Sequence, residues 1–132
     1  MLRKVGRKGA SAVELALVAP VLLLLLAGTF DLANVIQLSM RLERATRTGA
    51  QYAMANPSDA TAIRNAVIQA WPELTPGEVV VTCACGIAAA ACGTACSAGV
   101  PRTVTVTAER SLTPLLLQEY SKGTGHAVLR LR

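Results

Sequence analysis

The chain has 132 residues, of which 52% are hydrophobic and only 3% aromatic, so much of its apolar content is alanine, valine and leucine. This composition favours a membrane helix with a small head over a large globular core. The net charge is +5, but four of the thirteen Lys and Arg residues lie in the first nine positions, which leaves nine basic against eight acidic residues beyond them. That remainder has no basic stripe with interleaved aromatic residues, which argues against nucleic acid as a partner.

The N-terminal region joins a basic segment to a long apolar run. The basic residues Arg3, Lys4, Arg7 and Lys8 precede residues 10–36, which we predict to be a transmembrane helix. A helix over residues 10–32 alone would be about 34 Å long, enough to span a bilayer. Because positively charged flanks stay in the cytoplasm, we expect a single-pass protein with a cytoplasmic N-terminus and an exported C-terminal part.

A cleaved secretory signal has a related layout, with a basic segment and an apolar region of about 7–15 residues that ends in a small-x-small site. The apolar run in this chain is longer, carries Glu14 near its start, and has only a poor site around LAGTFDLA. We therefore favour a retained membrane span.

The position of Glu14 points to a particular kind of membrane protein. A charge at the centre of a bilayer costs roughly 2.5–3.5 kcal/mol, so a carboxylate in this segment needs a reason. Glu14 is the fifth residue after Gly9, and Gly9 is followed by a small residue. A basic leader with this spacing resembles the prepilin peptidase site of type IV pilins and pseudopilins.

A longer stretch, from Gly9 to Ala53, resembles the N-terminal region of TadE-like proteins, the minor pseudopilins of tight-adherence (Flp) pilus systems. The shared pattern is G-A-x-A-V-E, a Pro six residues after the Glu, a Leu-rich run, an acidic residue, and then A-x-R-x-G-A-x-Y-A. The resemblance implies a role in pilus assembly, at initiation, at the tip or in the assembly machinery. It also implies the inner membrane as location, with a periplasmic head and possible entry into the pilus. The implied partners are prepilin peptidase, other pilin and pseudopilin subunits, the pilus assembly platform and membrane lipid.

The resemblance also assigns roles to single residues. Prepilin peptidase would cleave between Gly9 and Ala10, so that residues 1–9 form a leader. Cleavage would create a cationic α-amino group on Ala10, and a carboxylate that pairs with such a cation lowers the cost of burying both charges. The resemblance implies that this carboxylate, here Glu14, pairs with a neighbouring subunit's N-terminus. The alternative is a Glu14 that lies in the headgroup layer beside Lys8.

The helix is predicted to kink and then to continue past the membrane. Pro20 cannot donate a hydrogen bond to the carbonyl of Ala16, so we expect a kink or local melting there. Residues 37–57 should be an exported helical extension that ends near Asn56, before Pro57. One face of it carries apolar or small residues at helical spacing: Leu38, Leu42, Ala45, Gly49 and Tyr52. We favour packing of this face against the head over a coiled-coil seam, which would need more heptads.

Residues 58–132 are predicted to form a small α+β head. An amphipathic helix begins after an N-cap at Asp59 and ends near Trp71. The segments GEVVVTCAC, RTVTVTAER and HAVLRLR predict a roughly three-stranded antiparallel sheet. The connection SLTPLLLQEYSKGTG should be a loop or short helix in which Leu115–Leu117 plug an edge of the core. The predicted fold is therefore α+β, with a long transmembrane and stalk helix packed on this head.

Four cysteines, Cys83, Cys85, Cys92 and Cys96, fall in an Ala/Gly-rich stretch. Four thiolates could hold a zinc ion. However, the predicted topology puts them outside the cytoplasm, where cysteine clusters become disulfides. Cys83 and Cys85 share a face of their strand, so we expect two bridges to Cys92 and Cys96, with the connectivity left open. The bridged loop serves as a staple or as a contact surface.

The sequence predicts no enzyme, cofactor or metal site. His126 is the single histidine, and no glycine-rich loop lies between a strand and a helix. A different class of function stays open: a membrane-anchored exported binding module with a disulfide-braced head. A zinc-binding sensor is a third possibility.

Overall fold

The computed structural model describes residues 8–131, with side chains from Ala12 onward. Two helices and four strands form an α+β fold, as predicted; their bounds are α1 Lys8–Ala55, α2 Ala60–Ala70, β1 Val79–Cys85, β2 Ala88–Ala90, β3 Arg102–Ser111 and β4 Lys122–Leu131. Short 3₁₀ turns at Pro76–Glu78 and Gln118–Tyr120 precede β1 and β4. Residues 1–7 of the predicted leader lie outside the described residues.

Helix α1 has 48 residues and runs through Pro20 without interruption. Its first part is apolar and exposed, and from Asp31 onward one face is buried against the head. The buried face contains Leu38, Leu42 and Ala45, as predicted. Tyr52 was wrongly placed on it, since that side chain is 40% exposed and Ala53 is buried instead. The reason is the 3.6-residue helical period, which allows the next inward position after Gly49 to come three or four residues later.

The sheet is antiparallel throughout, with strand order β2-β1-β3-β4. Helix α2 begins after Asp59, whose side chain accepts a hydrogen bond from the N–H of Ala62 at 2.9 Å, as the N-cap pattern predicted. Its buried Ile63 and Val67 join a core formed with the inward residues of the strands and the buried face of α1. The inward strand residues are Val79, Cys83, Val104, Val106 and Ala108.

Strand β4 starts at Lys122, four residues before the predicted start at His126. Gly123 and Gly125 belong to the connection that was predicted to be a loop or short helix, and they carry no side chain that could show an alternating pattern. The missing side chain allows β4 to approach α1 closely. A Cβ added to Gly125 would lie 2.6 Å from the Leu42 carbonyl oxygen and 2.7 Å from the Glu43 nitrogen. Both glycines are buried, and β4 packs directly on α1.

The sheet also has one strand more than predicted. Strand β2 is only three residues long and pairs with the end of β1, from Cys83 opposite Ala90 to Cys85 opposite Ala88. The turn between them passes through Gly86, whose φ of 62° lies in the left-handed region that favours glycine. A run of alanines has no alternation of apolar and polar residues, so its pattern did not indicate a strand.

Candidate functional site

The N-terminal half of α1 presents a continuous apolar surface to its surroundings. Every large hydrophobic side chain from Val13 to Leu26, and also Phe30, is largely exposed in the isolated chain. By length and composition, one helix in the described part of the chain, Ala12–Ala55, is apolar enough to cross a membrane. Such a surface is suited to lipid or to the helices of other subunits.

The predicted processing and pairing residues lie at the start of this surface. Gly9 and Ala10 belong to the first turn of α1, and their side chains are outside the described set. Glu14 is exposed on the helix. Pro20 is also exposed, and the expected kink at this residue stays a prediction.

Asp31 marks the point where the exposed part of α1 meets the head. Only 3% of this residue is exposed, although it follows the exposed Phe30. Its two carboxylate oxygens accept three backbone hydrogen bonds from the β3–β4 connection, namely Leu115 N–H at 2.9 Å, Leu116 N–H at 2.7 Å and Leu117 N–H at 3.1 Å. Successive N–H groups that converge on one anion form a backbone nest. Asp31 therefore fastens the connection between β3 and β4 to the helix.

This arrangement corrects the predicted role of the three leucines. They do not plug the core: Leu115 is 68% exposed, Leu116 45% and Leu117 37%. Their backbone N–H groups hold the connection on α1 through Asp31. Leu112, at the start of the same connection, is the leucine that packs against the core.

Sequence reasoning noted Asp31 only as an acidic position in a family pattern. A usable signal was present, since Asp31 precedes Leu38 by seven residues and thus lies on the same face of the helix. A carboxylate on the buried face of an amphipathic helix needs hydrogen-bond donors. The sequence does not reveal that those donors come from residues more than eighty positions away.

The four cysteines form two disulfides, Cys83–Cys92 and Cys85–Cys96. Both bridges run from β1 to the loop between β2 and β3, and the structure resolves the connectivity that the sequence left open. Cys83 and Cys92 are buried in the core, whereas Cys85 and Cys96 are half-buried. The segment between Cys85 and Cys96 is mainly exposed, and Ile87 in the turn between β1 and β2 is fully exposed.

The turn that leads into β1 holds a carboxylate whose pKa is lowered by hydrogen bonds. The backbone N–H of Thr75 donates to Glu78 Oε2 at 2.7 Å, and the Thr75 hydroxyl donates to the same atom at 2.9 Å. These hydrogen bonds, with a smaller contribution from the charge of Arg110, hold the pKa of Glu78 below its usual value despite partial burial. Arg110 also lies over the Trp71 ring, 5.4 Å from its centroid.

We expect this turn to make the head acid-sensitive. A carboxyl group whose pKa is lower in the folded than in the unfolded chain stabilises the fold above its unfolded pKa, and that stabilisation is lost as the pH falls. Between about pH 5 and pH 3, wild-type protein should therefore lose more free energy of unfolding than Glu78→Gln. Urea unfolding at several pH values measures this, with the exposed Glu119→Gln as control. A Glu78→Gln curve parallel to the wild type would contradict the assignment.

Within the described residues, no group of three or more His, Cys, Asp or Glu side chains could hold a metal ion. His126 is exposed on β4, opposite Thr107 of β3. The features described above that could contact a partner are the exposed apolar part of α1, the Asp31 junction and the disulfide-braced loop.

Comparison with known families gives one match. Residues 9–51 match the family described as TadE-like protein, which confirms the resemblance noted from the sequence. No curated protein and no solved structure matches the chain. The matched segment begins at Gly9 and ends within the buried part of α1, so it contains Glu14, Pro20 and Asp31. The match connects the chain with the tight-adherence pilus system.

Proposed function

Because residues 9–51 are those of a TadE-like protein, we propose that this chain is a minor pseudopilin, cleaved by prepilin peptidase and active in the assembly of a tight-adherence pilus. The observation that carries the proposal is the start of the matched segment at Gly9, five residues before Glu14, on a helix whose exposed apolar surface begins there. That spacing is what prepilin peptidase substrates of this kind have.

The division of α1 into two parts supports this role. An exposed apolar part can be held in the membrane, and the buried part is fixed to a folded head. Helix association in lipid depends on packing and on polar contacts rather than on hydrophobic burial. A subunit of this design can exchange lipid contacts for contacts with other subunits while its head stays folded.

Glu14 would supply the polar contact between subunits. Its carboxylate lies on the helix surface, where a neighbouring chain can reach it. After cleavage, the α-amino group of Ala10 in that neighbour would be the complementary charge. The attraction between two such charges is strong where water is excluded, so it can select one axial position of a subunit against the next.

Processing is tested by co-expression with a prepilin peptidase, followed by N-terminal sequencing and intact-mass measurement of the membrane-extracted protein. We expect a mature chain that starts at Ala10. Gly9→Val should leave the full-length chain, because a branched side chain at the cleaved bond would block the peptidase. Gly28→Val is the matched control, since a Cβ there meets nothing within 4 Å. A full-length wild-type chain in the presence of active peptidase would overturn the proposal.

The same experiment separates processing from assembly. Glu14→Gln keeps the size of the side chain and removes its charge. We expect a variant that is cleaved but fails to co-purify with other pilin-type subunits. A cleaved variant that still co-purifies normally would remove the pairing role from Glu14.

One observation favours a second candidate, a membrane-anchored binding module. The loop between the two disulfides is exposed and yet fixed to the sheet at two points, which suits a recognition surface. This candidate predicts that Met1 is retained and that the head alone captures an exported ligand. Co-purification with other pilin-type subunits through α1 distinguishes the pseudopilin from it.

A further inference from the structure

We propose that the β3–β4 connection is a second membrane contact, in which Leu115, Leu116 and Leu117 insert into the boundary between lipid headgroups and acyl chains. This inference rests on the membrane anchoring in the proposed function and adds a part of the head to it. The contact is non-covalent, and its partner is the lipid bilayer.

The first argument is the depth at which the connection is held. Residues 12–30 of α1 contain no residue that is buried against the head, and they form about 28 Å of helix. The hydrocarbon core of a bilayer is about 30 Å thick, so this part fills the core and Asp31 follows at its outer edge. Because the N–H groups of the three leucines bind the Asp31 carboxylate directly, the connection lies at that same edge.

The second argument is the kind of side chain that the connection exposes. Three consecutive leucines would be costly in water, and none of them serves the core of the head. Tyr120 follows at 53% exposure, and Lys122 at the start of β4 is exposed. Tyrosine is enriched at membrane interfaces, and lysine can extend its ammonium group to the headgroups. The composition of this surface therefore fits a lipid boundary.

The third argument is continuity with the membrane span. Phe30, immediately before Asp31, is 59% exposed, and Leu32, immediately after it, is 45% exposed, so apolar side chains of the helix flank the Asp31 junction. Leu115–Leu117 lie beside this part of the helix, so they widen its apolar surface at the level of Asp31. Two attachment points, the helix and the connection, would fix the tilt of the head against the membrane, whereas a single helix would leave it free to rotate.

The test uses the full chain in phosphatidylethanolamine–phosphatidylglycerol vesicles and a tryptophan at position 115. The native Trp71 is replaced by Phe in every sample, so that the new residue gives the signal. Leu115→Trp should show blue-shifted emission and strong quenching by lipids brominated near the top of the acyl chain. Ile87→Trp is the matched control, an exposed aliphatic position at the opposite end of the sheet, and should be neither shifted nor quenched.

Two further variants make each outcome decisive. Leu24→Trp, in the middle of the apolar helix, should be quenched best by deeply brominated lipids; its failure to be quenched would overturn the anchoring itself. If Leu24→Trp is quenched and Leu115→Trp behaves like Ile87→Trp, the second contact is overturned and the anchoring stands. A blue shift at position 115 without quenching would assign the leucines to a protein neighbour and also overturn the proposal. Leu116→Trp repeats the test should Leu115→Trp disturb folding.

Discussion

Gly125→Ala is expected to destabilise the head by about 3 kcal/mol, at the upper end of the usual cost of overpacking a core. The added methyl group would meet the backbone of α1 at Leu42 and Glu43, and a helix backbone cannot rotate away as a side chain can. The strand would have to separate from the helix along the largest contact between α1 and the sheet. For a protein of this size the melting temperature should fall by roughly 10 °C. Thermal unfolding in detergent, followed by Trp71 fluorescence, measures the change.

Two other glycines act as graded controls for this prediction. A Cβ on Gly123 would lie 2.6 Å from side-chain atoms of Leu38, which can adjust, so Gly123→Ala should cost less than Gly125→Ala. A Cβ on Gly77 meets nothing within 4 Å, so Gly77→Ala should change the melting temperature little. An equal effect of all three substitutions would show that the close approach of β4 to α1 is not what glycine provides here.

Removal of the Cys83–Cys92 disulfide by paired substitution to alanine is expected to have a similarly large effect. The bridged residues are separated by nine positions, and those of the Cys85–Cys96 bridge by eleven. Loop-closure entropy gives about 2.5–3 kcal/mol for either bridge. Cys83 and Cys92 are also buried, so their loss leaves space in the core, and we expect the larger destabilisation for that pair.

Urea unfolding of both paired variants, with the wild type in the presence and absence of reductant, measures these effects. The variant without the Cys85–Cys96 disulfide is the matched control, because that bridge also starts on β1 and closes a loop of nearly equal length. Reduced wild type should be less stable than either variant, since it lacks both bridges. A Cys83–Cys92 variant that is more stable than the Cys85–Cys96 variant would contradict the role assigned to the buried bridge.

Much of the fold could be predicted from the sequence, because several elements carry strong local signals. The apolar run and its helical continuation predicted α1, and Pro57 ended it within one residue of the observed end. Asp59 gave the start of α2, and alternating valines and threonines gave β3. The pattern from Gly9 to Ala53 was enough to indicate the TadE-like segment, and the family match over residues 9–51 confirms it.

The tertiary structure decided what depends on contacts between distant residues. The local sequence pattern could not predict that Gly123 and Gly125 belong to a strand. Their lack of a side chain matters only because α1 packs directly against them. The local pattern could not pair the cysteines, since two choices satisfy the same strand geometry. Nor could it predict that Leu115–Leu117 are exposed, because their position depends on three hydrogen bonds to a carboxylate 84 to 86 residues away. The sequence by itself thus determined the long apolar helix, most of the secondary structure and the resemblance of residues 9–51 to the TadE-like family, whereas packing and long-range hydrogen bonds determined how the head is fixed to the helix.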